Sequence, residues 1–126
     1  MVFGLHIVRP GISLLKTPSL ELMNSKPELP QLLLVSTSPR RRQILESLNL
    51  PFQSVQPLGE EAVAEASNIE EVTMANSLVK AKSGKGSVKK DSDILIGSDT
   101  LVVLGPQVMG KPSHPEEARE MLNKLS

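Results

Sequence analysis

The chain has 126 residues, of which 39% are hydrophobic and 22% charged, a composition typical of one folded domain rather than a disordered chain. Basic and acidic residues number 14 each, so the formal net charge is zero, and nucleic-acid binding through bulk positive charge is not expected. Because there is no cysteine, the sequence excludes disulfides, cysteine-ligated zinc and a thiol nucleophile. The longest aliphatic run, residues 32–35, is too short to cross a bilayer, so no membrane partner is expected.

Residues 1–30 are predicted to form a poorly structured tail. Prolines stand at positions 10, 18, 27 and 30, and no period of two or 3.6 residues is sustained. The first twenty residues contain basic and hydroxyl side chains but no acid, which is also typical of a mitochondrial transit peptide. We therefore expect the folded domain to span residues 31–126. We expect the protein in the cytoplasm, and the mitochondrion is the alternative location.

The first half of this domain alternates predicted strands and helices. The apolar run 32–35 predicts a strand buried on both faces, and Ser38-Pro39 predicts the start of a helix with an apolar stripe at positions 44, 45 and 48. Residues 52–55 predict a second strand. A capping box at 67–70 then predicts a helix in which the apolar residues Val72, Ala75, Leu78 and Val79 recur at helical spacing.

The second half continues the alternation. Residues 94–96 and 101–104 predict two strands on either side of a turn at 97–100, and residues 108–109 predict a short third strand. A capping box at 113–116 begins a last helix with apolar residues at 118, 121, 122 and 125. This order of elements predicts an α/β fold with a mixed sheet and flanking helices.

The stretch from Ser36 to Arg42 follows the first predicted strand and opens a helix. The N-terminus of a helix attracts anions, so Arg40 and Arg41 in the first turn are locally unfavourable unless a polyanionic ligand, such as a chain of phosphates, neutralises them. A solvated basic turn, or a phosphorylation or nuclear-import signal, accounts for the same residues. Both interpretations remain open from the residues alone.

Asp99 is predicted to lie at the carboxyl edge of the sheet, where α/β proteins bind ligands. A carboxylate there could hold a divalent cation or activate water, and a turn aspartate bonded to its own backbone is the alternative. Lys111, between Gly110 and Pro112, is a candidate phosphate ligand on a loop. Glu60-Glu61 could supply a metal ligand or belong to a solvated acidic loop, and Lys80 near a helix end needs no ligand to explain it.

Taken in chain order, these motifs resemble the Maf family of nucleotide pyrophosphatases. The resemblance runs from about Leu32 to Ser126 and leaves out the predicted tail. The matching motifs are Ser36-x-Ser38-Pro39-Arg40-Arg41, Leu50-Pro51-Phe52, Glu60-Glu61, Lys80-Ala81, Gly97-x-Asp99-Thr100, Gly110-Lys111-Pro112, and Glu117-Ala118 followed by Met121-Leu122 and Leu125-Ser126.

The resemblance implies hydrolysis of a nucleoside triphosphate between its α and β phosphates, giving a monophosphate and pyrophosphate with a divalent cation, Mg²⁺ or Mn²⁺. Asp99 matches the family's proton acceptor, and Glu61 matches a metal-site carboxylate. Thr100 looks like the residue of the branch that acts on dTTP and UTP. The residues that match the substrate pocket are Ser36, Arg40, Arg41, Lys80, Thr100 and Lys111.

Family members continue for roughly as many residues again beyond Ser126, so we expect only the N-terminal half of their fold here. The alternative to an active pyrophosphatase is therefore a catalytically inactive nucleotide-binding or dimerisation fragment of the same family, and a homodimer is among the partners this allows. A third hypothesis is a small interaction protein in which Ser-Pro-Arg-Arg-Arg is a regulatory or import signal.

Overall fold

A computed structural model describes residues 1–10, 29–62 and 67–126 and has an α/β architecture, as predicted. Five strands and three α-helices make up the described part of the chain, together with a short 3₁₀ helix over Gly84–Ser87. In chain order the strands and α-helices are β1 (Val2–Val8), β2 (Leu32–Val35), α1 (Pro39–Ser47), β3 (Phe52–Val55), α2 (Ile69–Ser83), β4 (Ile94–Leu104), β5 (Gln107–Met109) and α3 (Pro115–Leu125).

The sheet is mixed and has the order β1-β4-β2-β3, with β5 paired to the far end of β4. Strand β2 is parallel to both β3 and β4, whereas β1 and β5 are antiparallel to β4. The pairing of β2 with β4 ends at Leu34 beside Ile96, so the remainder of β4 extends past the carboxyl end of β2. This overhang leaves an edge open beside the start of α1.

The prediction of an unstructured tail is wrong for Val2–Val8, which form strand β1. The strand pairs with the centre of the sheet, with Gly4 opposite Asp99 and His6 opposite Gly97. Its apolar residues Phe3, Leu5 and Ile7 are exposed. A half-buried strand is normally recognised in a sequence because its alternating apolar residues face the core, and in β1 this relation is reversed. The remaining predicted tail, residues 11–28, lies outside the described residues.

The two strands predicted on either side of residues 97–100 are a single strand, β4. Gly97 does not break this strand, because its missing side chain makes room for a helix. A Cβ at Gly97 would overlap Ser77 O and Ala81 N of α2, and a Cβ at Gly4 would overlap Thr73 O. Asp99 is therefore a strand residue, and its interpretation as a turn aspartate is wrong.

The helix α2 is confirmed, but the apolar residues that recur at helical spacing do not form its buried face. Ala75 and Val79 are exposed, whereas the buried residues are mostly small or polar: Ile69, Thr73, Asn76, Ser77, Lys80 and Ala81. The close approach of α2 to the two glycines selects small side chains, and the polar ones have hydrogen-bond partners, such as Ser77 Oγ with His6 Nδ1 at 2.6 Å. The apolar core below them is formed by Leu33, Val35 and Leu95.

The starts of α2 and α3 differ from the sequence prediction by one residue. The N-cap of α2 is Asn68, and that of α3 is His114, whose Nδ1 accepts a hydrogen bond from Glu117 N at 3.2 Å. Neither α1 nor α3 has a fully buried residue, and their predicted apolar stripes are partly exposed, with Leu45, Ala118 and Met121 half-buried. Among the described residues, no helix combines the length and the apolar character that crossing a membrane requires.

Candidate functional site

A polar groove of about 370 Å³ lies at the carboxyl end of β2, between the start of α1 and the overhanging part of β4. It contains all but one of the site residues predicted from the sequence, the exception being Arg40. A separate depression of about 750 Å³, lined by residues of α1 and β3, contains none of them. The predicted residues that line the polar groove are Ser36, Arg41, Glu61, Lys80, Asp99, Thr100 and Lys111.

Lys80 bridges two carboxylates at one side of the groove. Its Nζ lies 2.7 Å from Asp99 Oδ1 and 2.9 Å from Glu61 Oε1. Lys80 is only 7% exposed and Asp99 only 4%, whereas the side chain of Glu61 is 45% exposed. A charge buried this deeply requires a partner, so Lys80 is a buried member of the site and not the solvated helix-end cation that its sequence position also allowed.

The pKa of Asp99 lies below its ordinary value of 3.8. Burial raises the pKa, but the ion pair with Lys80 and hydrogen bonds from Asn76 and the Thr100 N–H lower it by more. Asp99 is therefore ionised at neutral pH. A carboxylate held in this way is a weak base for as long as Lys80 stays on it.

Asn76 belongs to the same cluster and was missed by the sequence analysis. Its Nδ2 donates to Asp99 Oδ2 at 3.4 Å and to Ala62 O at 3.0 Å, and its Oδ1 accepts from Ala62 N at 2.9 Å. Asn76 thereby ties the loop that carries Glu61 to helix α2. Its spacing from Lys80, four residues or one helical turn, is the signal that could have identified it.

Arg41 is folded against β4 on the other side of the groove. Its guanidinium donates to Ser98 O at 2.9 Å, to Thr100 Oγ1 at 3.1 Å and more weakly to Ser36 Oγ at 3.5 Å. Ser36 Oγ also accepts from Ser38 N at 3.1 Å, and the side chain of Ser38 makes no capping bond. These hydrogen bonds hold Arg41 in the groove. A solvated basic turn or a linear signal would not require an arginine that is bonded to the rest of the fold.

The other two predicted cations are exposed. Lys111 lines the polar groove from the loop after β5. Arg40 lies beside that groove, lines a neighbouring apolar one, and has no hydrogen bond or ion pair with any residue that the structure describes. The structure thus brings Arg41 and Lys111 to the same groove and leaves Arg40 next to it.

Comparison with known proteins agrees with this geometry. The family model described as "Maf-like protein" matches residues 31–126, which include every side chain of the polar groove. The chain belongs to the Maf-like family. The match begins after β1, so that strand lies outside the part that defines the family.

Curated relatives of this Maf-like chain carry the name dTTP/UTP pyrophosphatase. A protein of that name from Thermotoga petrophila is 43% identical over 96 residues, which are 76% of this chain and 46% of the relative. Those from Bacillus cereus and Vibrio vulnificus are 37% and 42% identical over 76% of this chain, and 49% and 51% of the relatives are covered. The chain thus spans about half the length of the curated relatives it matches.

Among the residues that the structure describes, Glu61 and Asp99 line the polar groove of this Maf-like chain with carboxylate oxygens that could hold a divalent cation. In the described ranges no group of three or more His, Cys, Asp or Glu side chains is placed to hold a metal ion. Mg²⁺ is commonly held by one or two carboxylates together with substrate phosphates. The pair therefore fits a cation that binds together with a phosphate ligand better than one that is resident in the protein.

Proposed function

We propose that the chain binds a nucleoside triphosphate in the polar groove and hydrolyses it between the α and β phosphates. The observation that carries this proposal is the convergence of Asp99, Lys80 and Glu61 with Arg41 and Lys111 in one groove. A triphosphate and one water give a nucleoside monophosphate and pyrophosphate. The names of the relatives and the presence of Thr100 after Asp99 support dTTP and UTP as the substrates.

The phosphates are bound by cations and by the start of α1. The Arg41 guanidinium and the exposed Lys111 ammonium supply charge-assisted hydrogen bonds to phosphate oxygens. The first-turn N–H groups of α1 have no carbonyl partner within the helix, and the helix dipole favours an anion at that end. These groups keep the triphosphate at the open edge beside β4, in reach of Asp99.

Asp99 accepts the proton of the attacking water as the bond between the α-phosphorus and the bridging oxygen breaks. In the free protein Lys80 lowers the basicity of Asp99 through the contact of 2.7 Å. A triphosphate in the groove offers Lys80 other oxygen atoms. As Lys80 turns toward them, the pKa of Asp99 rises and the carboxylate becomes a better base.

Glu61 and Asp99 are the residues that would hold Mg²⁺ or Mn²⁺ in the bound complex. Such an ion would neutralise charge on the phosphates and would acidify a water molecule. Lys80 lies between the two carboxylates, so it would have to move toward the phosphates before both carboxylates could contact a cation.

Replacement of Asp99 tests the proposal. Asp99→Asn removes the proton acceptor, so pyrophosphate release from dTTP should fall by ~10²–10⁴-fold, the usual contribution of general-base catalysis. Binding of dTTP, measured by titration calorimetry, should persist. Glu71→Gln, which removes an exposed carboxylate from α2, is the matched control and should leave both quantities unchanged.

Asp99→Asn also removes one of the two carboxylates that contact the buried Lys80 among the described residues. Loss of folding is therefore a competing explanation for a fall in pyrophosphate release. The double variant Lys80→Gln with Asp99→Asn removes both charges together, and far-UV circular dichroism checks its fold. Direct release of orthophosphate from dTTP would show that the wrong bond is cleaved. A wild-type chain that binds dTTP but releases no pyrophosphate would be the inactive nucleotide-binding fragment, and one that does neither would contradict both hypotheses.

A further inference from the structure

An apolar groove of about 820 Å³ opens on the opposite face of the sheet from α2. Most of its surface is apolar, and its apolar lining comes from the start of β1 and from Ile44 of α1. Phe3 is 68% exposed, and Met1 and Leu5 are more than half exposed. The proposed chemistry uses none of these side chains.

The apolar groove is continuous with the polar one. Arg41, Asp99 and Thr100 line both, as do Ser38 and Pro39 at the start of α1. In the antiparallel pairing of β1 with β4, Phe3 is opposite Thr100 and Leu5 is opposite Ser98. Directly opposed residues share a face of the sheet, so Phe3 lies on the same face as the Thr100 hydroxyl that Arg41 binds.

We propose that this apolar groove binds the base of the nucleotide, with the ring of Phe3 stacked on it. The inference rests on the proposed function, because the phosphates must lie in the polar groove. Because Arg41 lines both grooves, a ligand whose phosphates contact Arg41 can place its uncharged end beside β1 and α1, where an apolar, aromatic-lined groove matches a flat heterocycle. The exposed Arg40 guanidinium at the same groove can donate to the ring carbonyl oxygens of uracil or thymine.

Strand β1, which the family model does not include, would then contribute directly to ligand binding. The match begins at residue 31, whereas Phe3 and Leu5 belong to β1. The wall of the base site would then be a feature of this chain's own N-terminal segment, added to a phosphate site that lies entirely within the matched residues.

Binding of the base can be distinguished from binding of the phosphates by comparing the Kd for dTTP with the Kd for inorganic tripolyphosphate. Phe3→Ala should raise the Kd for dTTP at least about fivefold, the lower end of what a base–aromatic stack contributes. It should leave the Kd for inorganic tripolyphosphate unchanged, and Phe3→Tyr, which keeps the ring, should retain the dTTP affinity. Ile7→Ala is the matched control, because Ile7 is 61% exposed on the same face of the same strand and does not line the groove.

Each remaining outcome contradicts a specific part of the inference. If Phe3→Ala binds dTTP as the wild type does, or loses dTTP and tripolyphosphate equally, the groove does not bind the base. If it dissociates a dimer in sedimentation velocity while the dTTP affinity stays constant, the face is an interface between copies of the chain. If the wild type binds neither ligand, the phosphate site itself is wrong, which separates failure of the proposed function from failure of the base site.

Discussion

At the scale of single residues, Thr100 lines the polar groove and binds the guanidinium of Arg41. Its hydroxyl accepts from the guanidinium at 3.1 Å, and Ser98 O accepts from the other terminal nitrogen at 2.9 Å. Two bonds to one strand leave the guanidinium little rotational freedom. An arginine already in place loses less side-chain entropy when it binds a phosphate, so Thr100 is a positioning residue for the phosphate site.

Replacement of the Thr100 hydroxyl tests this role. Thr100→Val keeps the shape of the side chain but removes the acceptor, and the Kd for tripolyphosphate should rise about 2- to 10-fold, as expected for one hydrogen bond. Thr100→Ser restores the hydroxyl and should restore the affinity. In steady-state assays with dTTP, the KM should change more than kcat. Equal affinities for the valine and serine variants would show that the hydroxyl does not position Arg41.

At the scale of elements, helix α2 brings Lys80 and Asn76 to Asp99 because it lies directly on the sheet. The contact is possible only where β1 and β4 carry glycine, at Gly4 and Gly97. The same close packing buries Lys80 deeply enough to remove it from water. Packing between this helix and the sheet therefore controls the burial of Lys80 and its ion pair with Asp99.

A single methyl group should disturb that packing. Gly97→Ala places a Cβ against backbone atoms of Ser77 and Ala81, which cannot move without shifting α2, and it should lower the free energy of unfolding by about 1–3 kcal/mol. Gly86→Ala is the matched control, because a Cβ there meets no atom within 4 Å. Urea denaturation followed by far-UV circular dichroism measures both, since the chain has no tryptophan or tyrosine. Equal stability of the two variants would contradict the close-packing argument.

The sequence predicted those strands and helices that can be recognised from a few adjacent residues. The apolar run of β2 and the Ser38-Pro39 start of α1 are visible in a few adjacent residues, and both are confirmed. Strand β1 and the unbroken β4 depend instead on partners far away in the chain, such as Phe3 with Thr100. Periodicity cannot show that a glycine lies under a helix, so Gly97 was mistaken for part of a turn.

The candidate site was predictable to a similar extent. Charged residues at strand ends and at a helix start indicated the polar groove, and the structure brings all of them except Arg40 into it. The burial of Lys80 was not predicted, because a lysine near a helix end is usually solvated, and Asn76 was missed although it lies one helical turn before Lys80. Whether these residues bind and hydrolyse a nucleotide stays a prediction.

At the scale of the whole molecule, α2 covers one face of the sheet and much apolar surface elsewhere remains exposed. Phe3, Leu5 and Ile7 of β1 are exposed on the opposite face, and Leu122 and Leu125 of α3 are exposed as well. Exposed apolar patches of this kind commonly mark interaction surfaces. The homodimer stays a prediction, and sedimentation velocity of the wild-type chain measures it directly.

Asp93 joins distant parts of the chain at the base of the sheet. Fully buried, it accepts hydrogen bonds from Gln31 N at 3.1 Å, Lys89 N at 2.9 Å and Lys90 N at 3.0 Å. Burial raises its pKa, but these three N–H groups and the charge of Lys90 lower it by more, so the pKa lies below the ordinary 3.8. The contact with Gln31 connects the start of β2 to the loop before β4, the two central strands.

This lowered pKa predicts the pH dependence of stability. A carboxyl group with a lower pKa in the folded chain stabilises it above the unfolded pKa, and this contribution is lost as the pH falls through the folded pKa. Asp93→Asn should therefore cost about 1–3 kcal/mol at pH 7, because the amide has one acceptor oxygen instead of two and leaves an N–H group on at least one side of residue 93 without its acceptor. The difference from the wild type should shrink as the pH falls below 3.8 toward the lower pKa of the folded Asp93 carboxyl, because protonation then removes its charge in the folded chain. Urea denaturation at a series of pH values measures the difference, with Asp91→Asn, two residues away and exposed, as the control that should follow the wild type throughout. A difference that is the same at pH 7 and at pH 3 would show that the charge of Asp93 does not stabilise the fold.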